Sequence, residues 1–258
     1  MELIYYIRLF KFRYHVSFIV VILGALIFSH QPIFALIKPL VVLYISFNFL
    51  LYGGLYTLND IADIESDRSH PQKKNRPLPS KKISIFKAYI LTFTCILSAL
   101  LISYFYFGRR IFLMYLFFIL VNQIYTHIAK KIPYLEILFN SLTYPMRFFL
   151  GILLVSYEMP YFLLEAILLF AFGIASVRRM VEKKAQGWEA REVLKYYTVV
   201  KLIILQIIAF SLIILISIIS YPSYSIWYTV IIISYLVFVF GIYFSNYFIN
   251  FYQWLFLN

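Results

Sequence analysis

Apolar residues run along this chain in long blocks separated by short polar segments, with no alternation of period two. A hydrocarbon core takes roughly 20 residues of helix to cross. Blocks of about that length lie near 16–36, 38–58, 86–107, 111–128, 134–156, 160–177, 198–219 and 224–246, and an apolar tail over 247–258 is a partial ninth. The pattern predicts an all-α fold: a polytopic membrane bundle of eight to nine transmembrane helices, one domain over 1–258. Pro39, Pro133, Pro160 and Pro222 fall at expected span edges, and Pro145 falls inside the fifth span. A missing N–H is tolerated at an edge and bends a helix within it. The basic, amphipathic start (MELIYYIRLFKFRYH) leads into the first block with no small-residue cleavage site, so the first helix is expected to be retained.

Composition narrows the class. The chain is 63% hydrophobic, 21% aromatic and 13% charged, with a mean hydropathy of +0.86. A soluble domain would be about half apolar and a quarter charged, and a disordered one would be far less hydrophobic. The single cysteine, Cys95, lies in an apolar run, which excludes a disulfide framework. His15, His30, His70 and His127 are too scattered for a zinc helix.

The formal charge of +12 would point to nucleic acid on a soluble domain; on this one it sorts by loop. Three basic residues precede the first span, seven lie between the second and third, two between the fourth and fifth, and seven around the connection from sixth to seventh. If every span crosses, these nineteen of 23 share one face, which the positive-inside rule assigns to the cytoplasm. The expected partners are therefore the bilayer and its lipids, with no nucleic acid.

The carboxylates cluster at the end of the second block, Asn59-Asp60-Ile-Ala-Asp63-Ile-Glu65-Ser-Asp67-Arg68. At about 100° per residue, Asp60, Asp63 and Asp67 fall within about 60° of one another on a helix. Three carboxylates on one face repel unless a cation joins them. Oxygen donors of this kind suit Mg²⁺ held by one or two carboxylates and substrate phosphates. The next residues, His70-Pro71-Gln-Lys73-Lys74-Asn-Arg76-Pro77-Leu78-Pro79-Ser80, add fixed cations on stiffened backbone. A metal face beside cations fits a phosphorylated substrate.

NDxxDxxxDR followed by RPLPS resembles the first aspartate-rich motif of the UbiA superfamily of intramembrane prenyltransferases, through Asn59, Asp60, Asp63, Asp67, Arg68, Arg76, Pro77, Leu78 and Ser80. The usual glycine after that serine is Lys81 here. Asn122-x-x-Tyr125-Thr126 leading to Lys130 is similar to the superfamily's fourth-helix pattern, and Arg147 with Gly151 to its fifth-helix pair, the preceding acid being Glu136. The resemblance implies Mg²⁺ on Asp60, Asp63 and Asp67, with Asn59 beside them.

One segment departs from the common form. Superfamily members that use a prenyl diphosphate carry a second aspartate-rich motif between helices six and seven, where this chain reads Arg178-Arg179-Met-Val-Glu182-Lys183-Lys184. That stretch, with Arg191-x-Val193-Leu194-x-x-Tyr197-Thr198, is similar instead to the pattern of decaprenyl-phosphate phosphoribosyltransferases, as is Asp67-Arg68-Ser-His70-Pro71-Gln-Lys73-Lys74-Asn-Arg76-Pro77. This resemblance implies transfer of 5-phosphoribose from phosphoribosyl diphosphate to a polyprenyl phosphate. The active-site loops would be about 59–85 and 178–197, facing the cytoplasm. Lys73, Lys74, Arg76, Arg178, Arg179, Arg191, Lys130 and Arg147 would hold phosphates, and Asn122, Tyr125, Tyr197 and Glu182 would contact ribose or phosphate oxygens. Arg147, inside a span, would meet the lipid phosphate or Glu136. The alternative is prenyl transfer from a prenyl diphosphate to an aromatic or glycerol-phosphate-type acceptor. A lipid-binding or transport protein is the remote alternative, and no inverted repeat supports it.

Overall fold

The computed structural model describes residues 2–69, 73–186, 192–220 and 223–257. His70, Pro71, Arg191 and Pro222 of the sequence reading lie outside the described residues. Among the described residues every regular element is helical. In chain order these are α1 (Glu2–Leu9), α2 (Phe12–Phe28), α3 (Ile33–Ala62), the short α4 (Ile64–Ser69), α5 (Ile85–Phe107), α6 (Arg109–Lys131), α7 (Leu135–Val155), α8 (Tyr161–Ala185), α9 (Val199–Ile219), α10 (Ser225–Phe244) and α11 (Asn246–Leu257).

Seven of these, α3 and α5 to α10, are long and apolar enough to cross a membrane, against the eight to nine expected. The difference arises at the ends of the chain. Residues 16–36 do not form one helix: α2 stops at Phe28, and Pro32, extended at φ −63° and ψ 145°, caps α3. The expected second span thus starts earlier, and Pro39 lies inside it rather than at its edge. Pro145 lies inside α7. The tail helix α11 has 12 residues, about 18 Å of helix, too short to cross alone.

The chain forms two compact units. The first comprises Met1–Thr126 and Arg147–Glu158. In it, α2 and α7 approach backbone to backbone: a Cβ at Gly151 would lie 2.0 Å from the Val21 carbonyl oxygen, and one at Gly24 2.0 Å from that of Phe148. Small residues permit this approach, and close packing drives helix association in lipid, where burial of apolar surface offers little. Gly54 likewise brings α3 onto Thr92 and Cys95 of α5, and Gly53 leaves room for the Phe10 ring. Both glycines therefore serve helix contact, and Cys95 is buried packing. Gly108, at φ 86°, makes the tight link from α5 to α6.

The second unit comprises His127–Met146 and Met159–Asn258. Its core includes Val177, Leu202, Ile213 and Tyr235 from α8, α9 and α10. The helices start where local chemistry directs: Ser84 and Thr198 accept hydrogen bonds from the N–H groups of Lys87 and Lys201, capping α5 and α9. Phe93, Ile207 and Ile218 stay exposed on spanning helices, as lipid-facing side chains do.

Candidate active site

α3 has 30 residues, about 45 Å of helix, more than a hydrocarbon core needs. Its last turn carries Asn59 and Asp60. The helix breaks at Asp63, whose φ of −94° and ψ of 0° leave the helical region, and α4 restarts the chain with Asp67. The single-helix geometry expected for Asp60, Asp63 and Asp67 is therefore interrupted. Among the described residues no three His, Cys, Asp or Glu side chains converge closely enough to hold one metal ion.

A pair of acids does converge. Asp60 and Asp67 are buried, 4% and 2% exposed, and both face Arg76. Its Nη1 donates to Asp67 Oδ2 at 2.8 Å and lies 3.5 Å from Asp60 Oδ1. Lys73 Nζ stands 4.0 Å from Asp67 Oδ1. Arg76 is held in turn by its own turn: Ser80 Oγ donates to the Arg76 carbonyl at 2.6 Å, and Pro77, Leu78 and Pro79 are buried. Lys81, where the superfamily's glycine stands, sits at φ 60°, a backbone region glycine enters without cost. Lys74 and Arg68 are exposed.

The sequence reading overlooked Lys11, whose Nζ donates to Asp60 Oδ1 at 2.6 Å. Along the sequence Lys11 is a flanking charge, and no local pattern ties it to a carboxylate 49 residues away.

Beside Asp60, the Thr126 hydroxyl donates to Asn59 Oδ1, and it lies 2.9 Å from the Asn122 carbonyl oxygen. This links the first motif to the Asn122-x-x-Tyr125-Thr126 pattern. The side-chain oxygen of Asn122 is buried without a protein partner, and Tyr125 is half-buried. Deeper in the same unit, Arg147 is 4% exposed. Its guanidinium lies 4.0 Å from the Tyr52 ring centre and 5.8 Å from that of Phe47, and Nη1 donates to the Tyr52 hydroxyl at 3.1 Å. Its Nε has no partner, and among the described residues no carboxylate pairs with it.

Glu136, offered as a partner for Arg147, is engaged in the second unit. Arg179 grips it with two prongs, Nε to Oε1 at 2.5 Å and Nη2 to Oε2 at 2.6 Å, and its Nη1 reaches Glu182 Oε2 at 2.5 Å. Arg179 is 1% exposed and Glu136 fully buried. This corrects the reading of Arg179 as a phosphate ligand, because all three guanidinium nitrogens point at protein carboxylates. Glu182 also accepts from Arg178 Nε at 2.9 Å, so it is bound by both arginines rather than turned to a ribose. Arg178 keeps 25% of its side chain exposed, and Lys130 is half-buried.

Tyr197 joins the same cluster. Its hydroxyl donates to Glu136 Oε1 at 3.1 Å and accepts the Tyr134 N–H at 2.8 Å, while Lys183 Nζ donates to the carbonyls of Leu194 and Tyr197. Burial, then the Glu136 charge, pushes the Tyr197 phenol well above its ordinary value. It thus stays a proton donor, and the cluster fixes the Glu192–Tyr196 turn to α8.

Hard oxygen donors are what Mg²⁺ takes, and one or two carboxylates suffice where substrate phosphates complete its shell. Asp60 and Asp67 fit that requirement. They are buried acids that both face the Arg76 guanidinium, so their oxygens already accept a positive charge.

A family model described as the UbiA prenyltransferase family matches residues 17–253. Curated relatives match in part. Digeranylgeranylglyceryl phosphate synthase of Methanococcus aeolicus is 47% identical over 57 residues, 22% of this chain and 20% of the relative. Nodulation protein NoeC of Azorhizobium caulinodans is 25% identical over 137 residues, 50% of this chain and 42% of the relative. The chain spans under half the length of the curated relatives it matches. The fold is shared with a UbiA homologue from Archaeoglobus fulgidus solved with GPP and Mg²⁺, at a TM-score of 0.76 and 17% identity, over 97% of this chain and 95% of that one.

Proposed function

This chain belongs to the UbiA prenyltransferase family, and from that premise we propose that it transfers 5-phosphoribose from phosphoribosyl diphosphate to a polyprenyl phosphate, in a Mg²⁺-dependent reaction. It is an integral membrane transferase by family and by its apolar helices. The loops about 59–85 and 178–197 face the cytoplasm in this reading, where the basic residues concentrate.

The observation that carries the donor assignment is the state of Glu182. It is the sole carboxylate of the segment Arg178–Lys184, and Arg178 and Arg179 both bind it. A prenyl diphosphate donor in this superfamily relies on a second set of metal-binding aspartates there. This chain has arginines at that position instead, of which Arg179 is tied to Glu136 and Glu182 and Arg178 keeps part of its side chain exposed. Phosphoribosyl diphosphate has a separate 5-phosphate besides its diphosphate, so cations are the better complement.

Asp60 and Asp67, with Asp63 and Asn59 beside them, would hold Mg²⁺. When bound, the ion supplies charge stabilisation for the departing diphosphate. The chain's own groups do the rest. Arg76, Lys73 and Lys74 would neutralise phosphate oxygens beside the first motif, and Arg178, Arg191 and Lys130 are the further cations that the sequence pattern assigns to phosphate. Asn122, Tyr125 and Thr126 offer neutral donors and acceptors for ribose hydroxyls. Arg147, a buried guanidinium without a carboxylate, provides a cation for the anionic lipid head. The lipid phosphate oxygen attacks ribose C1 as the C1–O bond to diphosphate breaks, so no proton has to be removed. Fixed cations stabilise the charge that grows on the leaving group.

The match to digeranylgeranylglyceryl phosphate synthase favours a second reading, prenyl transfer to a glycerol-phosphate-type acceptor. Purified protein given Mg²⁺, polyprenyl phosphate and labelled phosphoribosyl diphosphate should yield a labelled lipid. Consumption of a prenyl diphosphate, with no label passing from phosphoribosyl diphosphate, would establish the second reading instead.

A further inference from the structure

Among the described residues Lys11 is the closest cation to Asp60, yet the proposed chemistry leaves it without a task. It stands between α1 and α2 with φ 50° and ψ 53°, a left-handed backbone that side chains other than glycine rarely adopt. Packing on each side holds it there: Leu9 is fully buried and Phe10 lies against Gly53. Its ammonium reaches Asp60 Oδ1 at 2.6 Å and lies 5.3 Å from the centre of the Tyr56 ring. The lysine side chain is 20% exposed and that of Asp60 only 6%.

We infer that Lys11 is a displaceable strap on the cation site: its ammonium neutralises Asp60 when no divalent ion is present, and yields that carboxylate when a metal–diphosphate complex binds. Two buried carboxylates need countercharge in both states. With Arg76 serving chiefly Asp67, at 2.8 Å against 3.5 Å to Asp60, the unliganded charge of Asp60 falls to Lys11. A divalent ion drawn to the same oxygen repels the ammonium. Lysine can comply, because its charge sits at the end of a flexible four-carbon stem and no backbone shift is needed. The 20% exposure of the side chain leaves it a route outward, and the released ammonium then meets the negative charge that accompanies the metal. Arriving donor and departing diphosphate would each exchange one cation for the other at Asp60, so the site never holds a bare buried carboxylate, which is costly in low dielectric.

The inference rests on the reading of Asp60 as a metal-binding carboxylate, and not on which donor is used. Donor-free Mn²⁺ binding, followed by electron paramagnetic resonance on the full-length protein, tests it. Lys11→Met should tighten Mn²⁺ by about tenfold, equal to about 1.4 kcal/mol, whereas Lys11→Arg should bind it like the wild type. Inorganic pyrophosphate should bind the Mn²⁺-loaded Lys11→Met protein more weakly than it binds the loaded wild type. Lys11→Gln serves as a second neutral variant should Lys11→Met melt early. Equal Mn²⁺ affinity in wild type and both neutral variants, with binding abolished by Asp60→Asn, would overturn the strap and leave the metal assignment standing. Wild-type Mn²⁺ affinity in Asp60→Asn would overturn both.

Discussion

Arg179 and Glu136 form a two-pronged ion pair across 43 residues of sequence, with 1% and 0% of their side chains exposed. Removing one partner of such a pair strands the other charge, at a cost of about 3–5 kcal/mol. Glu136→Gln and Arg179→Met should each lower the melting temperature in detergent sharply, and Arg178→Ala should not. Donor KM should separate the two neighbours further, rising in Arg178→Ala with a nearly unchanged melt. Equal thermal loss in all three variants would contradict this division of roles.

Arg147 should show the reverse balance of stability and activity. Its guanidinium is buried, has an unpartnered Nε and pairs with no described carboxylate. Even whole buried ion pairs are often replaced by apolar side chains of similar size at no loss of stability, and among the described residues Arg147 has only the Tyr52 hydroxyl and the Tyr52 and Phe47 rings to offset its desolvation. Arg147→Met should therefore melt at or above wild type while its KM for the lipid acceptor rises at least tenfold. A destabilised variant with normal acceptor KM would assign Arg147 to packing.

Asp60→Asn should abolish Mg²⁺-dependent product formation, by a factor of about a hundred or more, with helical content retained. Circular dichroism and a Mg²⁺ titration of activity check the two halves of that statement. Retained function in this variant would revive the transport or lipid-binding reading.

Gly151→Ala should disrupt the α2–α7 approach, because the added methyl would lie 2.0 Å from the Val21 carbonyl oxygen and 2.8 Å from the Ala25 nitrogen. Both obstacles are backbone, so no side-chain rotation relieves them. Overpacking of this kind costs about 1–3 kcal/mol. Gly24→Ala, which meets the Phe148 carbonyl at the same distance, should behave alike. Loss of monodispersity on size exclusion, or a lower melting temperature, would register it.

Lys81→Gly should stabilise the protein. The left-handed region costs a side-chain-bearing residue about 1–2 kcal/mol, and Lys81 occupies it at φ 60°. A gain of about 1 kcal/mol in thermal or denaturant unfolding is expected, with donor KM unchanged.

Residue order alone determined the helical class, most of the spans and the two polar segments that interrupt them. Hydropathy is a local sum over about twenty residues, and the lipid core reads that sum directly. The same locality explains what it left open. Whether Ile33–Leu36 ended one helix or began the next depended on the extended conformation at Pro32, not on apolarity, which is similar on both sides. The acids at 60, 63 and 67 were legible as a motif, yet the break at Asp63 and the convergence of Asp60 and Asp67 on Arg76 emerged only in three dimensions. Spacing placed Arg178 and Arg179 side by side as equals. Folding turned one inward onto Glu136 and kept the other partly exposed, because Glu136 comes from 43 residues away and, of the two arginines, its carboxylate meets only Arg179. Lys11 on Asp60 is the same case across 49 residues. Charge pairing across such separations is a property of packed helices, and no window along the chain contains it.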